Sequence, residues 1–132
     1  MSNVPDDLKY TDRHEWVRLE DGTATIGVTD FAQNALGEVS YVELPEPGWK
    51  VAQGKEFAVV ESLKAASDVY APVSGTVAAV NDALEAEPNR INADPYGEGW
   101  LCKVEGFDPA ELAALLSPEQ YTELISEEEA QA

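Results

Sequence analysis

Apolar stretches in the first two-thirds of this chain are short, and Gly, Pro, Asn or Asp interrupts each of them. Short apolar runs bounded by such residues predict strands joined by turns. Residues 14–20 partly alternate, with Val17 and Leu19 on one face and Trp16 and Arg18 on the other. Asp21-Gly22 is a hairpin signal, and 23–28 returns with Ile26 and Val28 on one side. Asp30 as N-cap, Gln33 three residues on and Gly37 as stop predict one short internal helix. A strand over 38–44 ends at Pro45-Glu46-Pro47-Gly48. Segments 56–63 and 68–73 form a pair of apolar strands, Ser74-Gly75 leads into another at 76–80, and a last strand follows the turn Pro95–Gly99 at 100–104.

The last quarter follows a different grammar. Asp108-Pro109-Ala110-Glu111 and Ser117-Pro118-Glu119-Gln120 each place a capping side chain, a proline at the first helical position and a Glu or Gln three beyond the cap. Leu112, Leu115 and Leu116, then Tyr121, Leu124 and Ile125, recur at spacings of three and four, so each helix has one apolar face to pack on the sheet. With 132 residues the chain is expected to form one domain over 1–132, with a β core at about 13–105 and short C-terminal helices at about 109–129.

Composition removes several function classes. Twenty-six acids face eight bases, a net charge of −18. Phosphate binding needs a basic footprint, so nucleic acid is not an expected partner, nor is an anionic membrane surface. No stretch approaches the ~18 apolar residues of a membrane span. The acidity fits either solubility as a monomer or steering toward basic faces on partner proteins. A lone cysteine, Cys102, allows neither an internal disulfide nor a cysteine-based zinc site, and reads as a buried filler. His14 is the sole histidine and reads as structural, so no metal site is expected. No Ser-His-Asp set and no phosphate loop is visible, which disfavours an enzyme acting alone. The opening Met1–Asp7 lacks the marks of a signal or transit peptide, giving a bacterial cytoplasmic expectation, or the mitochondrial matrix for a processed form.

Between the paired strands lies Glu61-Ser62-Leu63-Lys64-Ala65-Ala66-Ser67-Asp68, which puts Lys64 at an exposed tip with small residues after it. A modifying enzyme needs access to the ε-amine, and amide formation there removes the charge. Glu61 and Asp68 would draw a cationic partner surface to the tip. Taken alone, this is also how an ordinary surface lysine looks.

The segment Val60-Glu61-Ser62-Leu63-Lys64-Ala65-Ala66-Ser67-Asp68-Val69-Tyr70-Ala71-Pro72-Val73-Ser74-Gly75 resembles the lipoylation segment of glycine cleavage system H proteins. The likeness extends to His14-Glu15-Trp16-Val17, Gly27–Gln33, Leu36-Gly37-Glu38-Val39, Val42-Glu43-Leu44-Pro45 and Asn92–Leu101, so it spans roughly residues 9–125. It implies a mainly β, flattened barrel-sandwich hybrid of the lipoyl/biotinyl type, with a short internal helix and C-terminal helices. It implies that Lys64 carries lipoate through an amide bond. It implies a non-catalytic shuttle that takes the aminomethyl group from a pyridoxal-phosphate glycine decarboxylase (P protein) to a tetrahydrofolate-dependent aminomethyltransferase (T protein). Dihydrolipoyl dehydrogenase (L protein) would reoxidise the arm, and a lipoyl-attaching enzyme would install it. An acid beside the arm would shelter the amine; Glu15, in the His-Glu-Trp block, and Asp68, near the tip, are the candidates. The alternative is a lipoyl domain or relay serving 2-oxoacid dehydrogenase complexes. Such domains usually show Asp-Lys-Ala where this chain has Leu63-Lys64-Ala65, and biotin carriers usually show Met-Lys-Met.

Overall fold

The computed structural model describes residues 3–131. The turn-rich part of the chain forms two antiparallel sheets. One has six strands in the order β1 (Lys9–Tyr10), β2 (Glu15–Glu20), β3 (Thr23–Val28), β9 (Cys102–Glu105), β8 (Gly75–Val80) and β5 (Lys50–Val51). The other has three, in the order β4 (Val39–Glu43), β6 (Glu56–Ser62) and β7 (Ala66–Tyr70). The fold is mainly β, as expected, and its sheets do not close into a barrel. Helix α1 (Asp30–Leu36) follows β3, the single-turn helices α2 (Ala83–Ala86) and α3 (Arg90–Ala93) precede β9, and α4 (Pro118–Gln131) ends the described chain.

Three clusters of buried side chains hold these elements together. Val28, Leu36, Val39, Val42, Val60 and Val69 join α1 to the three-stranded sheet. Val17, Ala24, Ile26, Val77 and Val104 lie on the six-stranded sheet, and Phe57 packs against both groups. The third cluster puts Leu8, Tyr10 and Trp16 against Tyr121 and Ile125 of α4, with the rings of Tyr10 and Tyr121 stacked at 4.6 Å. This third cluster explains why the alternation of 14–20 is only partial. Val17 faces the sheet core, and α4 covers the opposite face, so Glu15, Trp16 and Val17 are buried in succession. The apolar stripe of α4 therefore lands on the sheet as its spacing predicts.

Local details differ from expectation in several places. Thr29, not Asp30, caps α1: its hydroxyl accepts from Ala32 N at 3.2 Å, while Asp30 sits in the first turn and accepts from Gln33 Nε2 at 2.7 Å. The first C-terminal helix is a 3-10 segment, Pro109–Ala114, although Asp108 caps it as expected. Ser117 and Gln120 form a reciprocal capping box, with bonds of 2.9 and 3.1 Å, and α4 then runs fourteen residues. Strand β7 begins two residues earlier than 68 and ends at Tyr70, two residues ahead of Pro72, which has no N–H to give a ladder. The two-residue strands β1 and β5 and the single-turn helices α2 and α3 have no counterpart among the predicted elements, since so few residues leave no periodicity to read.

Gly27 faces Trp16 across the β2–β3 ladder, and a Cβ there would lie 2.6 Å from the indole. The indole is fully buried and its Nε1 donates to Pro95 O at 3.0 Å, so it has no room to shift. Gly27→Ala is expected to cost about 1–3 kcal/mol of stability through overpacking. Denaturant titration followed by Trp fluorescence would read this, and an unchanged midpoint would contradict it.

Candidate functional site

The hairpin tip is built by Ser62. Its N–H donates to Ala65 O at 2.8 Å, and its hydroxyl accepts from Ala65 N at 3.3 Å, which turns the chain around Leu63 and Lys64. The same hydroxyl donates to Leu36 O at 2.7 Å, fastening the tip to the C-terminal end of α1 and satisfying a carbonyl that the helix leaves open. Gly37, with φ of 84°, ends that helix, and the stem of Lys64 passes beside it. Asn92 steadies the same corner, donating to Gln33 Oε1 and to Gly37 O at 2.9 Å and accepting from Val39 N at 2.8 Å. Lys64 is exposed and Leu63 is 99% exposed. A rigid base with a bare tip is what an enzyme that must reach the amine requires.

A cleft of about 270 Å³ opens immediately beyond the lysine. Ala65, Ala66, Ser67 and Asp68 of the hairpin form one side, Phe31, Ala32, Ala35 and Leu36 of α1 another, and Arg13, His14 and Glu15 close it. Most of this lining is apolar; the exceptions are Arg13, His14 and Glu15 before and at the start of β2, and Ser67 and Asp68 on β7. Glu15 is 2% exposed. Its Oε1 accepts from the Thr11 hydroxyl at 2.5 Å, and its Oε2 accepts from Tyr70 N at 3.1 Å. Tyr70 lies on β7, an outer strand of its sheet, so the carboxylate satisfies an edge N–H that has no neighbouring strand. Arg13 lies over the Tyr70 ring, 4.2 Å from its centroid.

Burial pushes the Glu15 carboxyl up from 4.5 to about 7, against the opposing pull of the Thr11 and Tyr70 hydrogen bonds and the Arg13 charge. The folded state therefore binds a proton here that the unfolded chain has already released. Stability from this group is full below pH 4.5 and is lost as pH rises through about 7. Relative to Glu15→Gln, the wild-type protein should lose up to about 3 kcal/mol between those limits. Parallel denaturation curves would show it, and a constant difference between the two proteins would contradict it. Burial pushes the Cys102 thiol up to about 12, so this fully buried sulfur is held as an unreactive thiol.

The structure brings together three of the four residues singled out from the sequence. Lys64 stands at the tip, and Glu15 and Asp68 both line the adjoining cleft, Asp68 exposed and Glu15 enclosed. Glu61 does not line it. It follows Val60 on β6, which is buried and borders the cleft, and successive strand residues point to opposite faces. Sequence reasoning missed Thr11, Arg13 and Phe31. Thr11 is four residues from Glu15, across a turn with no glycine to announce it. A wider groove of about 570 Å³ runs along β4, lined by Tyr41, Glu43, Glu46 and Glu85 among others. Its size exceeds that of the cleft, but it contains no buried ionisable group and no residue of the hairpin tip, so the chemistry points to the smaller cavity.

The family model described as glycine cleavage H-protein matches residues 8–128. A glycine cleavage system H protein of Psychrobacter sp. (strain PRwf-1) is 58% identical over 122 residues, covering 92% of this chain and 97% of the relative. A probable glycine cleavage system H protein of Haloarcula marismortui is 55% identical over 123 residues, covering 93% of this chain and 97% of the relative. Among solved structures, a glycine cleavage system H protein from Mycobacterium marinum superposes with a TM-score of 0.85 at 37% identity, over 93% of this chain and 99% of that one. With the hairpin lysine and its cleft in place, these likenesses show that the chain belongs to the glycine cleavage H-protein family.

Proposed function

We infer that this chain is a non-catalytic carrier of the glycine cleavage system, with a lipoyl group joined by an amide to Nζ of Lys64. The observation that carries this reading is the continuity of the site: an exposed lysine at a hairpin tip, followed at once by residues that form the wall of a cleft with a buried carboxylate. When bound, the lipoyl group supplies a cyclic disulfide that accepts two electrons together with the one-carbon amine left when glycine loses carbon dioxide.

Every other part of the task falls to the protein's own residues. Ser62 and Asn92 hold the tip still on α1, so that a flexible arm pivots from a fixed point. Tethering raises the effective concentration of the arm's end at each partner. The apolar walls contributed by Phe31, Ala32, Ala35 and Leu36 suit the hydrocarbon stem and keep water out. Glu15 suits the amine end: an ammonium group would supply the buried carboxylate with a charge partner and hold it ionised at neutral pH. Asp68, exposed on the same rim, offers a second acceptor at the mouth. Glu61, on the other face of the hairpin, belongs to a surface that meets partners rather than to the cleft.

The partners of this reading are glycine decarboxylase, aminomethyltransferase, dihydrolipoyl dehydrogenase and a lipoyl-attaching enzyme, met by one carrier domain in the cytoplasm. The family match over residues 8–128 favours it over a lipoyl domain of a 2-oxoacid dehydrogenase. Intact mass after expression in a lipoate-sufficient host tests the attachment. The wild type should gain about 188 Da and Lys64→Ala nothing. A wild type that stays unmodified beside a competent ligase, or a gain that survives removal of Lys64, would sink the assignment.

A further inference from the structure

His14 is one of two non-glycine residues among those described with a left-handed backbone, at φ of 72°. It ends a tight turn: His14 N donates to Thr11 O at 3.3 Å, and Thr11 N donates to Glu15 O at 3.0 Å. A three-residue loop of this kind ordinarily places glycine at the left-handed position. A side chain with a Cβ is strained there, and such strain persists only when the surroundings enforce it.

Those surroundings are specific. The imidazole Nδ1 lies 2.8 Å from the Tyr121 hydroxyl, and Nε2 lies 3.0 Å from Glu128 Oε2. Both partners are on α4. The ring also packs on Phe31 of α1, with centroids 4.7 Å apart. The backbone carbonyl of His14 accepts from Thr29 N at 3.0 Å. Thr29 caps α1, and its hydroxyl lies 2.6 Å from the same Tyr121 hydroxyl. One buried phenol thus links the turn that precedes Glu15 to the helix that forms the opposite wall of the cleft.

We propose that His14 is a positioning residue for the arm cleft: by fastening the 11–15 turn to α4 through Tyr121 and Glu128, it sets where the Glu15 carboxylate sits. The C-terminal helix is then a brace for the cleft rather than a lid on the sheet alone. This deepens the carrier reading and rests on it for its purpose, but the placement of Glu15 can be measured without an arm.

The bond from Tyr70 N to Glu15 Oε2 provides the readout, because the amide exchange of Tyr70 reports whether that carboxylate is in place. In lipoyl-free protein, His14→Ala and Tyr121→Phe should speed Tyr70 exchange about tenfold while the central β6 amides keep their protection. His14→Gly should be loosened as well, since it relieves the backbone but loses the ring. His14→Asn should recover most of the protection, as Asn tolerates the left-handed region and can still bond to Tyr121. In lipoylated protein, glycine turnover by the reconstituted system should fall in the same order, with Glu15→Gln as the reference. If Tyr70 and β6 exchange rise together, His14 merely stabilises the fold and the proposal is overturned. Unchanged exchange at Tyr70 in Tyr121→Phe, which deletes only an oxygen, overturns it too. Failure of the carrier reading shows itself separately, as missing mass on Lys64.

Discussion

A carboxylate taken out of water has to be solvated by the protein, and most of the site is arranged around meeting that demand for Glu15. Two donors reach it, one from the turn before β2 and one from the edge of β7. These donors are far apart in the chain, so the carboxylate also acts as a clasp between the two sheets. It holds the hairpin that bears Lys64 against the larger sheet at the point where β7 has no further strand to pair with. Two hydrogen bonds do not fully offset the loss of water, and the carboxyl's pKa is pushed up as a result. That shortfall is useful in a carrier. A fully satisfied anion would have nothing to gain from an incoming cation, whereas this one has.

The hairpin separates two requirements that conflict in most loops. On the carrier reading proposed above, its base would have to be fixed so that the arm begins from a known place, and its tip bare so that several enzymes can approach. The base is fixed by ladder bonds between β6 and β7 and by the Ser62 hydroxyl on α1. The tip consists of Leu63 and Lys64 alone, and the small residues after it leave the cleft mouth open. Ala66, Ser67, Asp68 and Val69 of β7 all border the cleft, so the strand that returns from the tip is itself a cleft wall.

What could be read from the sequence was what is local. Lys64 at a tip follows from two apolar runs with a short polar gap, and the capping box at Ser117 follows from four consecutive residues. Even the partial alternation of 14–20 carried information, since a stretch buried on both faces loses its period. The burial of Glu15 was not legible, because its second donor is Tyr70, fifty-five positions away, and a backbone N–H carries no sequence signature. His14 was read as structural, and its left-handed backbone could not be seen, because long-range bonds to Tyr121 and Glu128 enforce a conformation that local chemistry opposes. The expected cap of α1 is one residue off because Thr29 and Asp30 are both good caps, and the long-range contacts that hold Thr29, to Tyr121 and to His14 O, carry no local signal.

The charge of the chain bears on the same site. Among the described residues, the carboxylates in ion pairs are Glu87, Glu98 and Glu128; Glu15 is buried near Arg13, and most of the others face solvent with no ion-pair partner. At ordinary ionic strength such charges are screened within about 10 Å, and their effect on a partner is felt near contact. Lys64 is one of eight positive charges, and it stands at the tip of a hairpin that also bears Glu61 and Asp68. Its ammonium interrupts this negative surface; on the carrier reading proposed above, amide formation would remove that interruption. The hairpin end so modified would keep only the charges of Glu61 and Asp68. On that reading an attaching enzyme would meet a lysine between two acids, and later partners would meet those acids without it. The two encounters would then differ in electrostatics at the tip, which would give partners a physical basis for preferring the loaded carrier over its precursor.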